Sequence, residues 1–177
     1  MTDWQATRPG ETSAPLPGRH DAHLVFIGRI RTPFVSRDQC PRQGSQDGPL
    51  CRVEIEPAFQ PALQGIEAFT QLDLLYWMHE ARRDLLTQSP RGGASTGTFA
   101  LRSPVRPNPV ALSRVKLEGV KDGVLLVRGL DCLDGTPLID IKPHRCMHPA
   151  SATTSPDKKP SPPTGAGRLH LPPQPSS

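Results

Sequence analysis

The chain has 177 residues, enough for one domain with tails. Only 35% of them are hydrophobic and 22 are proline, crowded towards the two ends, which excludes a core running the full length. The formal net charge of +4 permits a polyanionic partner without requiring one, and no apolar run reaches the length of a membrane span.

Residues 1–22 are polar and rich in Pro and Gly, and read as a flexible leader. The opening MTDWQATRPGE has no apolar run of the kind that starts an export signal, so a cytoplasmic protein is expected, with Cys40, Cys51, Cys132 and Cys146 as free thiols. Residues 24–31 form a β-branched run closed by Thr32-Pro33, a first strand. Residues 34–49 lack hydrophobic periodicity and read as a loop. Residues 50–56 alternate, with Val53 and Ile55 against Arg52, Glu54 and Glu56, giving a second strand.

Leu63, Ile66 and Phe69 share one face of a short helix over 61–69. The apolar run 72–79 suits a buried strand, and its spacing suits a helix continuing through Arg82, Arg83 and Leu86 equally well. Residues 89–97 are a Ser/Gly loop. Strands are expected at 98–101, 110–120, 123–130 and 137–141, with Asp122-Gly123 as a hairpin turn. Beyond Arg145 the chain lacks the apolar content to fold. The domain expected is therefore residues 23–146, a mainly-β barrel or sandwich of short strands, followed by a disordered Pro/Ser-rich tail over 147–177.

Two polar motifs bracket the hairpin. In Arg102-Ser103-Pro104-Val105-Arg106-Pro107-Asn108-Pro109, three prolines force a stiff extended connector that presents Arg102, Arg106 and Asn108. Arg forks match phosphate or carboxylate, and Asn can pair with an adenine-like edge. The same types also suit a Pro-rich turn whose Arg pairs with a surface acid. In Leu130-Asp131-Cys132-Leu133-Asp134-Gly135-Thr136-Pro137, Asp131 and Asp134 flank a Gly turn. Such carboxylates accept from ribose hydroxyls or an ammonium group, or act in proton transfer; Asp-Gly is equally ordinary turn chemistry. His79-Glu80 ends the apolar run, where a polar end-residue is common. His144, Cys146 and His148 match no zinc spacing, so no metal is expected. No phosphate-loop or dinucleotide signature occurs.

In order and spacing these motifs resemble the TrmO/TsaA-like proteins, S-adenosylmethionine-dependent tRNA methyltransferases with a small β-barrel fold. The resemblance covers roughly residues 26–143. Residues 27–34 resemble the family's opening IGxIxSPF/Y, Pro41-Arg42-Gln43-Gly44 its PRQ segment, and residues 63–69 its GLEAF turn. Residues 98–113 match FxTRSxxRPNPIGxS, and residues 130–143 match LDxxDGTPxxDIKP. Ala111 stands where the family has Gly, and the low-complexity tail stands where longer members carry a further domain.

The resemblance implies S-adenosyl-L-methionine as cofactor, a homodimer, tRNA as partner with no membrane role, and N6-methylation of threonylcarbamoyl-adenosine beside the anticodon. By motif position it implies Arg42, Gln43, Gly44, His79, Glu80, Arg102, Leu130, Asp131, Cys132, Leu133 and Asp134 as cofactor contacts. It also implies that 72–79 is a strand. Arg106 and Asn108 are expected to orient the modified base or its carboxylate. Asp131, Asp134 and His79 are the candidates for a proton acceptor. RNA binding would rest on the barrel, on the basic loop 82–91, or on Lys158-Lys159. The rival expectation is a barrel that binds cofactor or tRNA without methyl transfer.

Overall fold

The computed structural model describes residues 6–16, 22–90 and 93–144. The tail over 147–177, with Cys146, His148 and Lys158-Lys159, lies outside the described residues, as does Arg91. Nine strands are described: β1 (Thr12–Ser13), β2 (Gly28–Arg31), β3 (Cys51–Ile55), β4 (Gln71–Trp77), β5 (Leu85–Gln88), β6 (Thr96–Gly97), β7 (Val110–Lys121), β8 (Val124–Arg128) and β9 (Thr136–Pro143).

Six of them close into an antiparallel barrel in the order β2-β3-β8-β7-β4-β9, with β9 returning to β2. Closure leaves no unpaired edge, so every strand has a partner on both sides. Alternation then decides the interior. β4 sends Leu72, Leu74 and Tyr76 inward, β3 sends Val53 and Ile55, β8 sends Leu125 and Val127, and all are at most 5% exposed. Ile30, Val115 and Leu138 complete the packing. Each such side chain contributes about 1.5–3 kcal/mol when fully buried, so the barrel interior is its principal source of apolar stabilisation. The family's Gly position, Ala111, is half-buried in the β4–β7 ladder opposite Tyr76, and its methyl packs against this core.

The strand that the resemblance implies over 72–79, where spacing alone left a helix equally open, is met by β4, which ends at Trp77. Asp122 and Gly123 both take positive φ (51° and 75°), the two-residue turn that the right-handed twist of a hairpin favours. Three expectations change. The first strand begins only at Gly28, because residues 24–26 find no partner in the barrel and lie exposed. The helix over 61–69 is two 3-10 turns, Pro57–Leu63 and Ile66–Ala68, separated by Gly65 at φ 83°. The strand at 98–101 is a 3-10 turn, Thr98–Ala100, whose Thr98 hydroxyl bonds the Leu85 carbonyl at 2.9 Å.

Within the segment read as a flexible leader, β1 pairs with β5, which pairs with β6, making a small second sheet. Ser89 Oγ and Ser95 Oγ donate to the carbonyls of Pro9 and Gly10 at 3.1 and 2.7 Å, and the Ala14 amide donates to Asp84.

Candidate functional site

Antiparallel order puts every polar motif at one mouth of the barrel. The connections at that end are 32–50 between β2 and β3, 78–109 between β4 and β7, and 129–135 between β8 and β9. They carry PRQG, His79-Glu80 with RSxxRPNP, and LDxxDG respectively. Among the described residues, the opposite end holds 56–70, the Asp122-Gly123 turn, the approach to β2 and the residue after β9. Motifs far apart in sequence meet because adjacent strands run in opposite directions.

Direct contacts bind the three connections together. A Cβ on Gly44 would stand 1.8 Å from the Gly129 carbonyl oxygen, so the PRQG loop lies directly on the backbone leaving β8. Only a residue without a side chain permits that approach. Thr32 Oγ1 donates to the Cys132 carbonyl at 2.9 Å, and the Asp134 amide donates to the Phe34 carbonyl at 2.8 Å. The Arg37 guanidinium donates to the Glu80 carbonyl. Arg83 Nε donates to the Pro107 carbonyl at 2.6 Å while the guanidinium lies 5.2 Å from the centre of the Trp77 ring.

At the top of the core lies a polar network that sequence reasoning did not find. The Tyr76 hydroxyl donates to Asp131 Oδ1 at 2.7 Å and is 2.7 Å from Ser113 Oγ, which itself donates to Asp131 Oδ1 at 3.2 Å. Tyr76 and Ser113 sit on inward positions of paired strands, diagonal to one another, since Leu74 faces Ser113 and Tyr76 faces Ala111. Strand alternation could have placed both inside. Nothing local joins them to a carboxylate from the next connection. Burial, with the adjacent Asp131, pushes the Tyr76 phenol far above its ordinary value, so it remains a donor. Asp131 Oδ1 thus accepts two hydroxyls, and Oδ2 accepts none among the described residues.

The remaining sequence-selected residues divide by what they touch. Arg42, Gln43, Arg102 and Asn108 are exposed, and their side chains make no hydrogen bond among the described residues. His79 Nε2 lies 3.9 Å from Glu80 Oε1, both at the mouth. Asp134 is engaged: Oδ1 accepts the Thr32 amide at 3.2 Å and Oδ2 lies 3.6 Å from Arg31 Nη1. Arg106 is also engaged, donating to the carbonyls of Leu101 and Ser103 at 2.7 and 3.4 Å, 5.9 Å from the centre of the Phe99 ring. It closes its own loop. Leu130 and Cys132 are buried, and burial pushes the Cys132 thiol up to about 12. Leu133 is half-buried, its carbonyl accepting the Thr136 hydroxyl at 2.7 Å.

Residues 29–148 match the family model for the tRNA-methyltransferase O N-terminal domain. A Rhizobium radiobacter protein named probable S-adenosyl-L-methionine-binding protein VirR is 52% identical over 141 residues, 79% of this chain and 81% of its own length. An S-adenosyl-L-methionine-binding protein of Archaeoglobus fulgidus is 40% identical over 120 residues, 67% of this chain and 86% of its own. The crystal structure of TrmO from Pseudomonas aeruginosa superposes with a TM-score of 0.61 at 34% identity, covering 78% of this chain and 62% of that one. The present chain therefore spans about three-fifths of that solved structure. Barrel, motif order and the matched span agree: the chain belongs to the tRNA-methyltransferase O (TrmO) family and carries that family's N-terminal domain.

Proposed function

We propose that the protein is an S-adenosylmethionine-dependent methyltransferase that methylates N6 of threonylcarbamoyl-adenosine beside the anticodon of tRNA, acting in the cytoplasm as a homodimer. The observation that carries this reading is the gathering of PRQG, His79-Glu80, RSxxRPNP and LDxxDG at one barrel mouth, where uncommitted donors share the end with a carboxylate held from below.

The donor set fits the cofactor. Arg42, Gln43 and Arg102 offer open donors for a carboxylate and for base edges. The close contact of Gly44 with Gly129 supplies a rigid floor. Bound there, S-adenosylmethionine supplies an electrophilic methyl group. The chain's own work is alignment and proton handling. A carbamoylated exocyclic nitrogen is a weak nucleophile, so orientation supplies much of the rate.

Asn108 is assigned to the acceptor base, and Arg106 to shaping the loop that carries Asn108. Asp131 is preferred over Asp134 and His79 as proton acceptor. Its orientation is fixed by two hydroxyls while one oxygen stays open, whereas Asp134 is tied to Thr32 and Arg31. A second copy is placed on the outer face of β4 and β7, where Leu75 pairs with Leu112 and Trp77 with Val110. Val110 and Leu112 are 40% and 47% exposed there.

The test is mass spectrometry of tRNA nucleosides from a strain lacking the gene, paired with methyl transfer in vitro by wild type and by Asp131→Asn. Loss of the methylated threonylcarbamoyl-adenosine in the strain, and a large fall in turnover for the variant, are expected. Unchanged nucleosides would refute the substrate. Full turnover by Asp131→Asn would refute the proton acceptor.

A further inference from the structure

A cleft of about 370 Å³ among the described residues is lined by four arginines, Arg8, Arg37, Arg82 and Arg102, and by one carboxylate, Glu11. It lies at the same mouth as the candidate site, since Arg37 belongs to the β2–β3 connection and Arg82 and Arg102 to the β4–β7 connection. Its remaining wall is the N-terminal segment. That segment precedes residue 29, where the match to the family model begins.

The charge of the cleft is lopsided. Glu11 is already engaged by backbone amides, accepting Arg8 N–H at 2.9 Å and Ser89 N–H at 3.1 Å. Arg82 donates to Asp84 through two contacts of 2.9 and 2.7 Å and to Thr7 Oγ1 at 3.0 Å, which anchors the segment. The guanidiniums of Arg8 and Arg102 donate to nothing among the described residues, and both residues are exposed. The segment that brings Arg8 here is held by β1–β5 pairing and by the Ser89 and Ser95 hydroxyls, so the charge is positioned rather than carried on a free tail.

We infer that this cleft is a phosphate-binding subsite for RNA, built jointly by the barrel mouth and the chain's own N-terminal segment, with Arg8 gripping the phosphodiester backbone beside the nucleotide to be modified and Arg102 left to the cofactor. Guanidinium forks match phosphate oxygens, and backbone contacts position a strand without reading its sequence. The inference rests on the tRNA reading above and adds to it a binding element that lies outside the family domain. It also gives the RNA contact a place: the basic stretch from Arg82 contributes one wall, and Arg8 contributes the other.

The experiment measures binding of a synthetic anticodon stem-loop RNA by fluorescence anisotropy, across a salt series, for wild type, Arg8→Ala, Arg8→Glu and Lys121→Glu. Lys121 lies at the β7–β8 turn, outside the cleft, so Lys121→Glu makes the same charge change as Arg8→Glu elsewhere. Arg8→Ala should weaken RNA several-fold and flatten the logarithmic salt slope by about 0.7–0.9, the loss of one phosphate contact. Arg8→Glu should weaken it on the order of tenfold or more. Lys121→Glu should stay near wild type, and calorimetric S-adenosylmethionine affinity of Arg8→Glu should be unchanged.

Equal RNA affinity and slope for wild type and both Arg8 variants overturns the subsite and leaves the methyltransferase reading standing. Equal losses in Arg8→Glu and Lys121→Glu also overturn it, as does a loss confined to S-adenosylmethionine. Wild-type protein that fails to bind the stem-loop at all overturns the tRNA reading together with the subsite. A subsite that binds RNA through Arg8, in a protein that transfers no methyl group, upholds this inference while the enzymatic one falls.

Discussion

Replacing Gly44 by alanine tests the idea that a backbone contact sets the cofactor floor. An added Cβ would sit 1.8 Å from the Gly129 carbonyl oxygen and 2.4 Å from its carbon, whereas real Cβ atoms do not approach closer than 3.0 Å. The PRQG loop must therefore retreat by about 1.2 Å or more, because Gly129 is itself held between β8 and the Leu130 packing. Gly44 takes no positive φ, so the effect is steric and carries no backbone strain.

Overpacking of this kind costs about 1–3 kcal/mol, a fall in Tm of several degrees. Displacing a binding group by ~1 Å costs roughly 100-fold in a reaction that depends on alignment. Gly44→Ala should thus remain folded, lose on the order of tenfold in S-adenosylmethionine affinity, and lose more in methyl transfer. Gly97→Ala is the control. A Cβ there meets nothing within 4 Å, so binding should be unchanged and stability equal or higher by up to about 1 kcal/mol. Calorimetry and thermal denaturation read both variants. A Gly44→Ala protein with wild-type cofactor affinity would refute the reasoning.

Three further outcomes are expected. Asp73 is a carboxylate whose burial opposes its charge but whose bonds to Arg114 (3.0 Å) and His144 (3.3 Å) prevail and hold it below the usual range. A carboxyl lowered by folding stabilises above its unfolded value and loses that contribution as pH falls through the folded one. Asp73→Asn should therefore melt lower than wild type at pH 7, and the gap should close below about pH 4; a gap that persists at pH 2 would count against the assignment. Among the described thiols, Cys132 is wholly buried and pushed up to about 12, while Cys40 is only half-buried. Native alkylation at pH 8 followed by peptide mass mapping should label Cys40 and spare Cys132 until the chain is unfolded, with early labelling of Cys132 as the contrary result. Leu112→Glu should convert a dimer to monomer in light scattering with little change in monomer Tm, and an unchanged mass would remove the β4–β7 face as the interface.

The strands with clear two-residue alternation were legible in the chain, because period two with one buried face is a local signal. β3, β7 and β8 are of this kind, and Asp122-Gly123 marks the hairpin through its backbone freedom. β1, β5 and β6 were not legible. They are two to four residues long, and their pairing comes from a distant segment, so nothing local distinguishes them from loop. Thr98–Ala100 looked like a strand by composition, but the Thr98 hydroxyl reaches the Leu85 carbonyl and the segment turns.

The site divides in the same way. Sequence alone singled out the candidate residues: the stiff Pro-held Arg and Asn, the carboxylates around Gly135, and the PRQG and His79 segments, whose order pointed to the family. Tertiary structure decided what each touches. Antiparallel closure brought three connections to one mouth, and the Gly44–Gly129 contact joined two of them. The same packing tied Arg106 and Asp134 into turns, left one oxygen of Asp131 open above Tyr76 and Ser113, and drew Arg8 to the cleft. The physical reason is that residue type sets what a side chain can donate or accept, whereas which donors meet which acceptors depends on strand order and loop closure over more than a hundred residues.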